Sequence, residues 1–314
     1  MISYLEFEKP VAELETRIAE LRSAAEGDDV DISNELQRLE LKSADLLAAA
    51  YASLTPWQKT QVARHPSRPH FRDYVEYAFE DFVPLGGDRN YGEDEAIMGG
   101  FAKLNGRKVV LIGHEKGNDT ASRLRHNFGM GKPEGYRKAI RLMELAGRFN
   151  LPVVTLVDTS GAFPGVEAEE RGQAEAIARS TEACLGLPVP MVASIVGEGG
   201  SGGAVALASA ERVLMLEHAV YSVISPEGCA SILWRTAEKA PDAAEAMKVT
   251  AQDLKKLGVI DRIVSEPVGG AHRDPRAAAH ALAEAIGEEL DMLSRHSPEE
   301  LKRMREDRFL QIAG

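Results

Sequence analysis

Apolar residues recur at helical spacing through the first fifty residues. Two apolar stripes are formed by Leu14, Ile18 and Leu21 and by Ile32, Leu36, Leu39 and Leu46. The acidic EGDD stretch at 26–29 separates them. This pattern predicts two helices that form a hairpin by burying their stripes against each other or against the main body. We expect this helical hairpin or arm to span residues 1–54. Plain packing within the chain and gripping of a partner chain both stay open.

A short helix is predicted to follow the hairpin. Thr55 is a good N-cap, Pro56 suits the first helical position, and Gln58 completes a capping box. The helix runs into ARHPSRPHFRD, a local basic cluster in an acidic chain that consists of Arg64, His65, Arg68, His70 and Arg72. Such a cluster can contact phosphates. We favour a solvated loop whose charges pair with nearby carboxylates, because a charge cluster alone is a weak signal.

From residue 106 the pattern changes to apolar strands that alternate with helix-length segments. GRKVVLIGHEKG, LPVVTLVDTSGAFPG and LPVPMVASIVGEGGSGG each combine an apolar strand with glycine. The last two begin at Leu151 and Leu187, 36 residues apart, with a helical pattern between them. Repetition at this spacing predicts an α/β fold whose units stack side by side. In such folds the loops at the strand ends carry the active site.

Composition and charge narrow the class of protein. The formal net charge is -12, so we expect no nucleic-acid or membrane partner through this chain. No apolar run approaches the ~20 residues of a membrane span, and the acidic N-terminus lacks the pattern of a signal peptide. Cys184 and Cys229 are the only cysteines, too few for a disulfide framework or a zinc site. We expect a soluble cytoplasmic protein with no metal in this chain.

The stretch VGEGGSGGAVAL at 196–207 is the strongest chemical signal, because five of the seven residues from Gly197 to Gly203 are glycine. It fits the dinucleotide pattern G-x-G-x-x-G through Gly197, Gly199 and Gly202, with Glu217 at the position of a ribose-binding acid. A P-loop is rejected. The Lys and Ser or Thr that would bind phosphate and magnesium are replaced by Gly203 and Ala204.

The same stretch also fits a nucleophile elbow, G-x-S-x-G, centred on Ser201. A nucleophilic serine needs a base, and the downstream candidates carry no further local signal; they are Asp253, Asp261, His272 and His280. The surviving interpretations share one property: backbone N–H groups exposed at a helix N-terminus, where the helix dipole favours negative charge. The minimal inference is an oxyanion or anion site, which needs no nucleophile to assist catalysis.

Several longer segments resemble the α subunits of bacterial acetyl-CoA carboxylase carboxyltransferase. These segments are GEGGSGGA at 197–204, DTSGAFPG at 158–165, EERGQAEAIA at 169–178, YSVISPEGCASILW at 221–234 and EPVGGAHRDP at 266–275. The resemblance covers nearly the whole chain. Two departures are Ser160, where the family usually has proline, and Phe163, where it has tyrosine. Both are conservative for a turn.

The resemblance implies a crotonase-like (ClpP/crotonase) superhelix of repeated ββα units, preceded by the N-terminal helical hairpin. On this basis we expect a carboxyltransferase domain at 55–295 and a C-terminal helical tail at 296–314. The implied reaction moves the carboxyl group from carboxybiotin to acetyl-CoA, giving malonyl-CoA for fatty-acid biosynthesis. The implied partners are a zinc-ribbon β subunit in an α2β2 assembly, a separate biotin carboxyl carrier protein and biotin carboxylase.

The resemblance also implies roles for individual residues. The amides of Gly202, Gly203 and Ala204 form the oxyanion hole for biotin, and Gly199 and Gly200 contribute to substrate binding. The freed biotin nitrogen serves as the base, so no protein acid or base is required. The equivalent turn one unit earlier contains Gly161, Ala162 and Phe163. These residues either shape the wall of the biotin or substrate cleft or simply make a tight turn. The alternatives are a non-catalytic scaffold subunit and an NAD-dependent Rossmann-type dehydrogenase.

Overall fold

The computed structural model describes residues 3–25 and 33–312. A short 3-10 helix at Glu6–Glu8 leads into helix α1, Lys9–Ala25, which packs against α2, Ser33–Ala52. Val11 and Ile18 on α1 and Leu39 on α2 are buried, whereas Leu46 is exposed. The two predicted helices are therefore present, although Leu46 does not belong to the buried face. The EGDD stretch and Ile32 lie outside the described residues.

The predicted capping box is confirmed at the start of α3, Pro56–Ala63. The Thr55 hydroxyl accepts the N–H of Gln58, and the Gln58 side chain accepts the N–H of Thr55. Helix α4, Phe71–Ala78, follows after the basic cluster. The cluster thus spans the connection between two short helices, with Arg72 in the first turn of α4.

One mixed sheet of eight strands organises the described part of the chain. The strands are β1 (Glu80–Pro84), β2 (Ile97–Leu104), β3 (Arg107–His114), β4 (Val153–Thr159), β5 (Met191–Gly200), β6 (Arg212–Leu216), β7 (Val220–Ser222) and β8 (Arg262–Val264). Their order is β1-β2-β3-β4-β5-β6-β8, and β7 pairs with β5. The pairs β1–β2 and β2–β3 are antiparallel, and all later pairs are parallel.

The helices cover the sheet and connect its parallel strands. They are α5 (Thr120–Arg125), α6 (Pro133–Phe149), α7 (Val166–Glu170), α8 (Gln173–Gly186), α9 (Ser201–Ala208), α10 (Pro226–Trp234), α11 (Ala240–Met247), α12 (Ala251–Lys256), α13 (Pro275–Leu293) and α14 (Pro298–Ile312). Every residue of β4 and β5 is buried. Central parallel strands covered on both faces read as continuous apolar runs, as these do. The predicted α/β class is confirmed.

The two halves of β5 have different neighbours on one side. Residues 192–195 pair with β6, whereas residues 198–200 pair with β7. On the other side β4 pairs with β5 throughout, but the register shifts between Val157 and Thr159. The carboxyl end of β5 is therefore a separate structural region. It leads directly into α9.

The last helix, α14, packs on the body through the buried side chains of Leu301 and Arg305. Arg305 is fully buried and donates hydrogen bonds to the backbone carbonyls of Cys184 and Leu187 at the end of α8. Its guanidinium also lies 3.5 Å from the buried carboxylate of Glu211. The division of the chain at residues 54 and 295 stays a prediction. Within the described ranges, no helix combines the length and the apolar character needed to cross a membrane.

Candidate functional site: the turn at the end of strand five

The glycine-rich stretch is divided between a strand and a helix. Gly197, Gly199 and Gly200 belong to β5, and α9 begins at Ser201. Ser201 has a φ of 53°, in the left-handed region, and it is the residue of this turn that carries the unusual backbone conformation. The conformational freedom of glycine is therefore not what the turn requires of its glycines. Another physical demand must explain them.

That demand is close packing against the turn that follows β4. A Cβ atom on Gly203 would lie 2.7 Å from the nitrogen of Ala162 and 2.8 Å from the carbonyl carbon of Gly161. A Cβ atom on Gly200 would overlap the carbonyl group of Ser160. The two glycine-bearing turns, Ser160–Phe163 and Gly199–Ala204, thus lie directly against each other. Bare backbone is needed here so that two segments of the same chain can meet.

The first turn of α9 presents backbone donors. Gly202 and Gly203 are the second and third residues of the helix, where a regular helix offers no acceptor for the backbone N–H. No side chain caps this end. Ala204 is the fourth residue, and a regular helix gives its N–H the carbonyl of Gly200 as acceptor. Gly202 is half-buried, and both Gly203 and Ala204 are buried. The helix end can stabilise negative charge on a ligand oxygen.

The facing turn brings together the other predicted residues. Gly161 is buried with a φ of 151°, and Ala162 and Phe163 are half-buried. The N–H of Phe163 donates to the carbonyl of Gly131, and Lys132 lies 4.9 Å from the centre of the Phe163 ring. The structure therefore places the predicted cleft residues beside the predicted donors.

The dinucleotide and elbow hypotheses lose their geometric basis. Gly197 lies within β5, and the carboxylate of Glu217 accepts the N–H of Glu266 rather than standing free at the turn. The four residues considered as acid or base for Ser201 are all engaged elsewhere. Asp253 accepts the hydroxyl of Thr250 in the first turn of α12, Asp261 pairs with Arg308, His272 stacks on His65 and His280 belongs to α13.

Beneath the two turns lies a buried charged network that the sequence analysis did not identify. The carboxylate of Asp158 accepts from Lys116 Nζ at 2.6 Å and from His70 Nδ1 at 3.1 Å. His70 must carry its proton on Nδ1 in this contact, because a carboxylate only accepts. Burial alone would raise the pKa of Asp158. The charge of Lys116 and the hydrogen bond from His70 outweigh burial and hold the pKa well below its usual range.

Two arginines of the basic cluster extend this network. Arg64 donates to Glu198 at 2.6 Å and to Glu227 at 2.5 Å. Arg68, whose side chain is 1% exposed, makes a two-pronged contact with Glu266 at 2.7 and 2.9 Å. Burial tends to raise the pKa of Glu266, but the charge of Arg68 prevails and lowers it to about 2. The carboxylate of Glu266 is therefore ionised at neutral pH.

The preference for a solvated basic loop is wrong, because Arg68 and His70 are buried. Pairing with carboxylates is confirmed. One signal for the network was present in the sequence: Asp158 and Glu198 each follow an apolar run that predicts a buried strand. An ionisable side chain at such a position is buried only when a partner compensates for its charge. No group of histidine, cysteine and carboxylate side chains in residues 3–25 and 33–312 is arranged to hold a metal ion.

Comparison with known proteins gives a consistent result along the whole chain. A family model described as acetyl co-enzyme A carboxylase carboxyltransferase-like matches residues 4–313. An acetyl-coenzyme A carboxylase carboxyl transferase subunit alpha from Erythrobacter litoralis is 84% identical over 314 residues, covering 100% of both chains. The subunit of the same name from Zymomonas mobilis is 67% identical over 314 residues, again covering 100% of both.

Solved structures with the same fold are more distant. A transcarboxylase 12S structure superposes with a TM-score of 0.60 at 20% identity, over 73% of this chain and 42% of that one. The beta subunit of Pseudomonas aeruginosa geranyl-CoA carboxylase gives 0.56 at 18% identity, over 78% and 45%. A Pseudomonas malonate decarboxylase hetero-tetramer in complex with coenzyme A gives 0.55 at 17%, over 65% and 82%. These similarities show the fold, which is crotonase-like.

Proposed function

The chain belongs to the acetyl-CoA carboxylase carboxyltransferase family, and on that premise we propose that it is the alpha subunit that transfers a carboxyl group from carboxybiotin to acetyl-CoA. The product is malonyl-CoA for fatty-acid biosynthesis. The observation that carries the proposal is 84% identity to an alpha subunit over the full length of both chains. The donor-bearing turn supplies the chemistry that such a subunit needs.

The first turn of α9 fits the oxygen of a biotin ureido group. Gly202 and Gly203 offer N–H groups without side chains, and Gly203 packs directly against the backbone of Gly161 and Ala162. Biotin supplies the carboxyl group, and its ureido oxygen carries negative charge when that group leaves. The donors that we propose are Gly202 and Gly203. Ala204, which is buried in the same first turn, completes the site with Gly199 and Gly200.

The chain's own contribution to the reaction is electrostatic. Donors that are fixed before the reaction stabilise developing charge without reorganising, and one such donor contributes about 2.7–4 kcal/mol in measured cases. Gly202 and Gly203 are fixed because Gly203 packs on Gly161 and Ala162. We propose that Gly161, Ala162 and Phe163 line the cleft that orients the acceptor. Ser201 takes no part as a nucleophile.

An exposed apolar surface beside the turn is evidence that a partner subunit binds there. Val223, Ile232, Leu233 and Trp234 are exposed by 80%, 72%, 64% and 40%. They follow β7, which pairs with the end of β5 at Glu198–Gly200. An apolar patch of this kind on a charged protein marks an interface. We propose that the beta subunit covers it, bringing its own zinc ribbon, and that the assembly is α2β2.

The remaining partners follow from the same proposal. Biotin arrives on a separate carrier protein, and a biotin carboxylase loads it. We propose that the complex works in the cytoplasm. The formal net charge of -12 disfavours nucleic acid and anionic membrane as partners of this chain. A non-catalytic scaffold remains the alternative, and the preserved donor turn argues against it. A dehydrogenase is disfavoured because Gly197 lies in a strand.

The proposed function is tested by assaying the chain with and without its beta subunit. Malonyl-CoA decarboxylation in the presence of biocytin reports the reverse half of the reaction. We expect the chain alone to be inactive, because it offers a single donor turn, and the complex to be active. High activity of the chain alone, or an assembled complex with none, would contradict the proposal.

A further inference from the structure

The end of β5 contains a bulge directly before the donor turn. Val157 pairs with Ile195 and Thr159 with Gly199, so Asp158 on β4 faces three residues, Val196–Glu198, on β5. A bulge interrupts the hydrogen-bond ladder and leaves backbone groups without their strand partners. Bulges beside active sites also redirect the residues that follow them. Here those residues are Gly199–Ala204.

Buried charged side chains replace the missing ladder bonds. Oδ1 of Asp158 accepts the backbone N–H of Glu198 at 2.9 Å. Nε of Arg68 donates to the backbone carbonyl of Val196 at 2.8 Å. An unpaired buried backbone group is costly, so these two contacts stabilise the bulge in its observed shape.

The two side chains are themselves held in place. Lys116 and His70 both donate to Asp158, whose side chain is 1% exposed. Arg68 is fixed by its two-pronged contact with Glu266. The fit is also steric, because a Cβ atom on Gly197 would overlap the carboxylate of Asp158. Glycine at the bulge and the carboxylate opposite it therefore form one packed unit.

We infer that Asp158 is a positioning residue that fixes the Val196–Glu198 bulge and thereby sets the direction of the Gly202 and Gly203 amides. The inference rests on the proposed function of those amides. Asp158 makes no contact with the reacting atoms. Its carboxylate binds the strand that carries the donors, and it precedes the facing turn at Ser160–Phe163 on its own strand. A single side chain thus joins both walls of the proposed site.

Asp158→Asn tests this inference in the assembled complex. Three donors converge on the carboxylate, from Lys116, His70 and the Glu198 amide, whereas a carboxamide has only one oxygen. The carboxamide also lacks the negative charge that holds Lys116, and its NH2 group cannot accept from His70, so this set of contacts is weakened. Misplacement of a catalytic group by about 1 Å can cost about 100-fold in rate. We expect kcat for malonyl-CoA decarboxylation to fall about 10- to 100-fold, with KM for malonyl-CoA unchanged.

Glu211→Gln is the matched control. Glu211 is a buried carboxylate that accepts a backbone N–H of the same strand, that of Met191, at the opposite end of β5. A general loss of a buried carboxylate would affect both variants alike. We expect kcat of Glu211→Gln to remain at the wild-type value. Amide hydrogen exchange should accelerate across 196–204 in Asp158→Asn only, with the rest of the complex unaffected.

The outcomes separate this inference from the proposed function. Unchanged exchange at 196–204 in Asp158→Asn would overturn the positioning role, whatever happens to the rate. Faster exchange at 196–204 with normal kcat would instead overturn the catalytic role of the turn. If Asp158→Asn does not assemble, Gly197→Ala disturbs the same unit while retaining all its charges. A normal rate and normal exchange in assembled Gly197→Ala would then refute the inference.

Discussion

Arg273 donates two hydrogen bonds from Nη1 to the carboxylate of Glu15, at 2.9 and 3.1 Å, and so fastens helix α1 to the loop before α13. Its Nη2 also lies 3.4 Å from the fully buried carboxylate of Glu8. Breaking a buried ion pair typically costs about 3–5 kcal/mol. Arg273 is therefore the main polar anchor that we identify for the N-terminal helices.

Arg273→Met should release these helices. We expect cleavage within residues 1–54 to become at least about tenfold faster in limited proteolysis, since about 1.4 kcal/mol of lost docking energy suffices for that factor. Arg22→Met is the control, because Arg22 forms an exposed pair with Glu40 that contributes little. Equal cleavage of wild type and Arg273→Met would show that other contacts hold the arm.

Ser201→Ala should retain most of the activity of the complex. The unusual φ of Ser201 serves the turn, and the histidines considered as its base lie elsewhere. We expect a loss of a few-fold at most, against the ~10⁴-fold or greater loss seen when a true nucleophile is removed. Steady-state kinetics of the assembled variant provide the measurement. Covalent labelling of Ser201 by a fluorophosphonate would contradict this expectation.

The stability of the chain should depend on the ionisation of Glu211. Burial raises the pKa of Glu211 from 4.5 to about 7, against the lowering effect of Arg305. The folded chain thus holds this proton more tightly than the unfolded chain. The contribution of Glu211 to the free energy of unfolding therefore falls as the pH rises from about 4.5 to 7. Glu211→Gln cannot ionise. Its unfolding free energy relative to wild type should therefore rise across this window, by at most about 3 kcal/mol.

Denaturant titrations of wild type and Glu211→Gln at pH 5, 6, 7 and 8 measure this difference. The comparison cancels the pH-dependent contributions of titrating groups that both proteins share. One of these is Glu266, whose pKa is lowered, so that its contribution to stability changes in the opposite direction and at lower pH. A difference that stays constant between pH 5 and 8 would mean that Glu211 is not held protonated by its surroundings.

The regular elements could be predicted from the sequence because local signals specify them. The capping box at Thr55 and Gln58 is complete within four residues, and the structure confirms it. The apolar runs of β4 and β5 are long enough to indicate buried strands, and both are fully buried. The contact between the two turns that follow them was not predicted. It joins Gly161 to Gly203, and no pattern within either segment specifies it.

The charged network shows why part of the site could not be predicted. Arg68 and Glu266 are almost two hundred residues apart in sequence, and only the folded chain brings them together. From the local sequence alone, we expected the basic cluster to form a solvated loop. Arg68 is buried because the distant carboxylate of Glu266 compensates for the loss of water, which is a tertiary effect. Packing against the preceding turn, rather than positive φ, explains Gly200 and Gly203, and this contact is also tertiary.

Gly203→Ala, compared with Gly202→Ala in the complex with the beta subunit, tests the oxyanion role of the turn most directly. A Cβ atom on Gly203 meets backbone at 2.7 and 2.8 Å and must separate the two turns, whereas one on Gly202 meets only the end of Ile177 at 3.4 Å. Both variants keep the backbone N–H. Thermal melting and gel filtration establish that each complex is assembled before its turnover is compared. We predict that kcat falls by ~10²–10³-fold in Gly203→Ala, because the displaced N–H no longer serves as an oxyanion donor, and only a few-fold in Gly202→Ala. A stable, assembled Gly203→Ala complex that turns over at the wild-type rate would contradict the account.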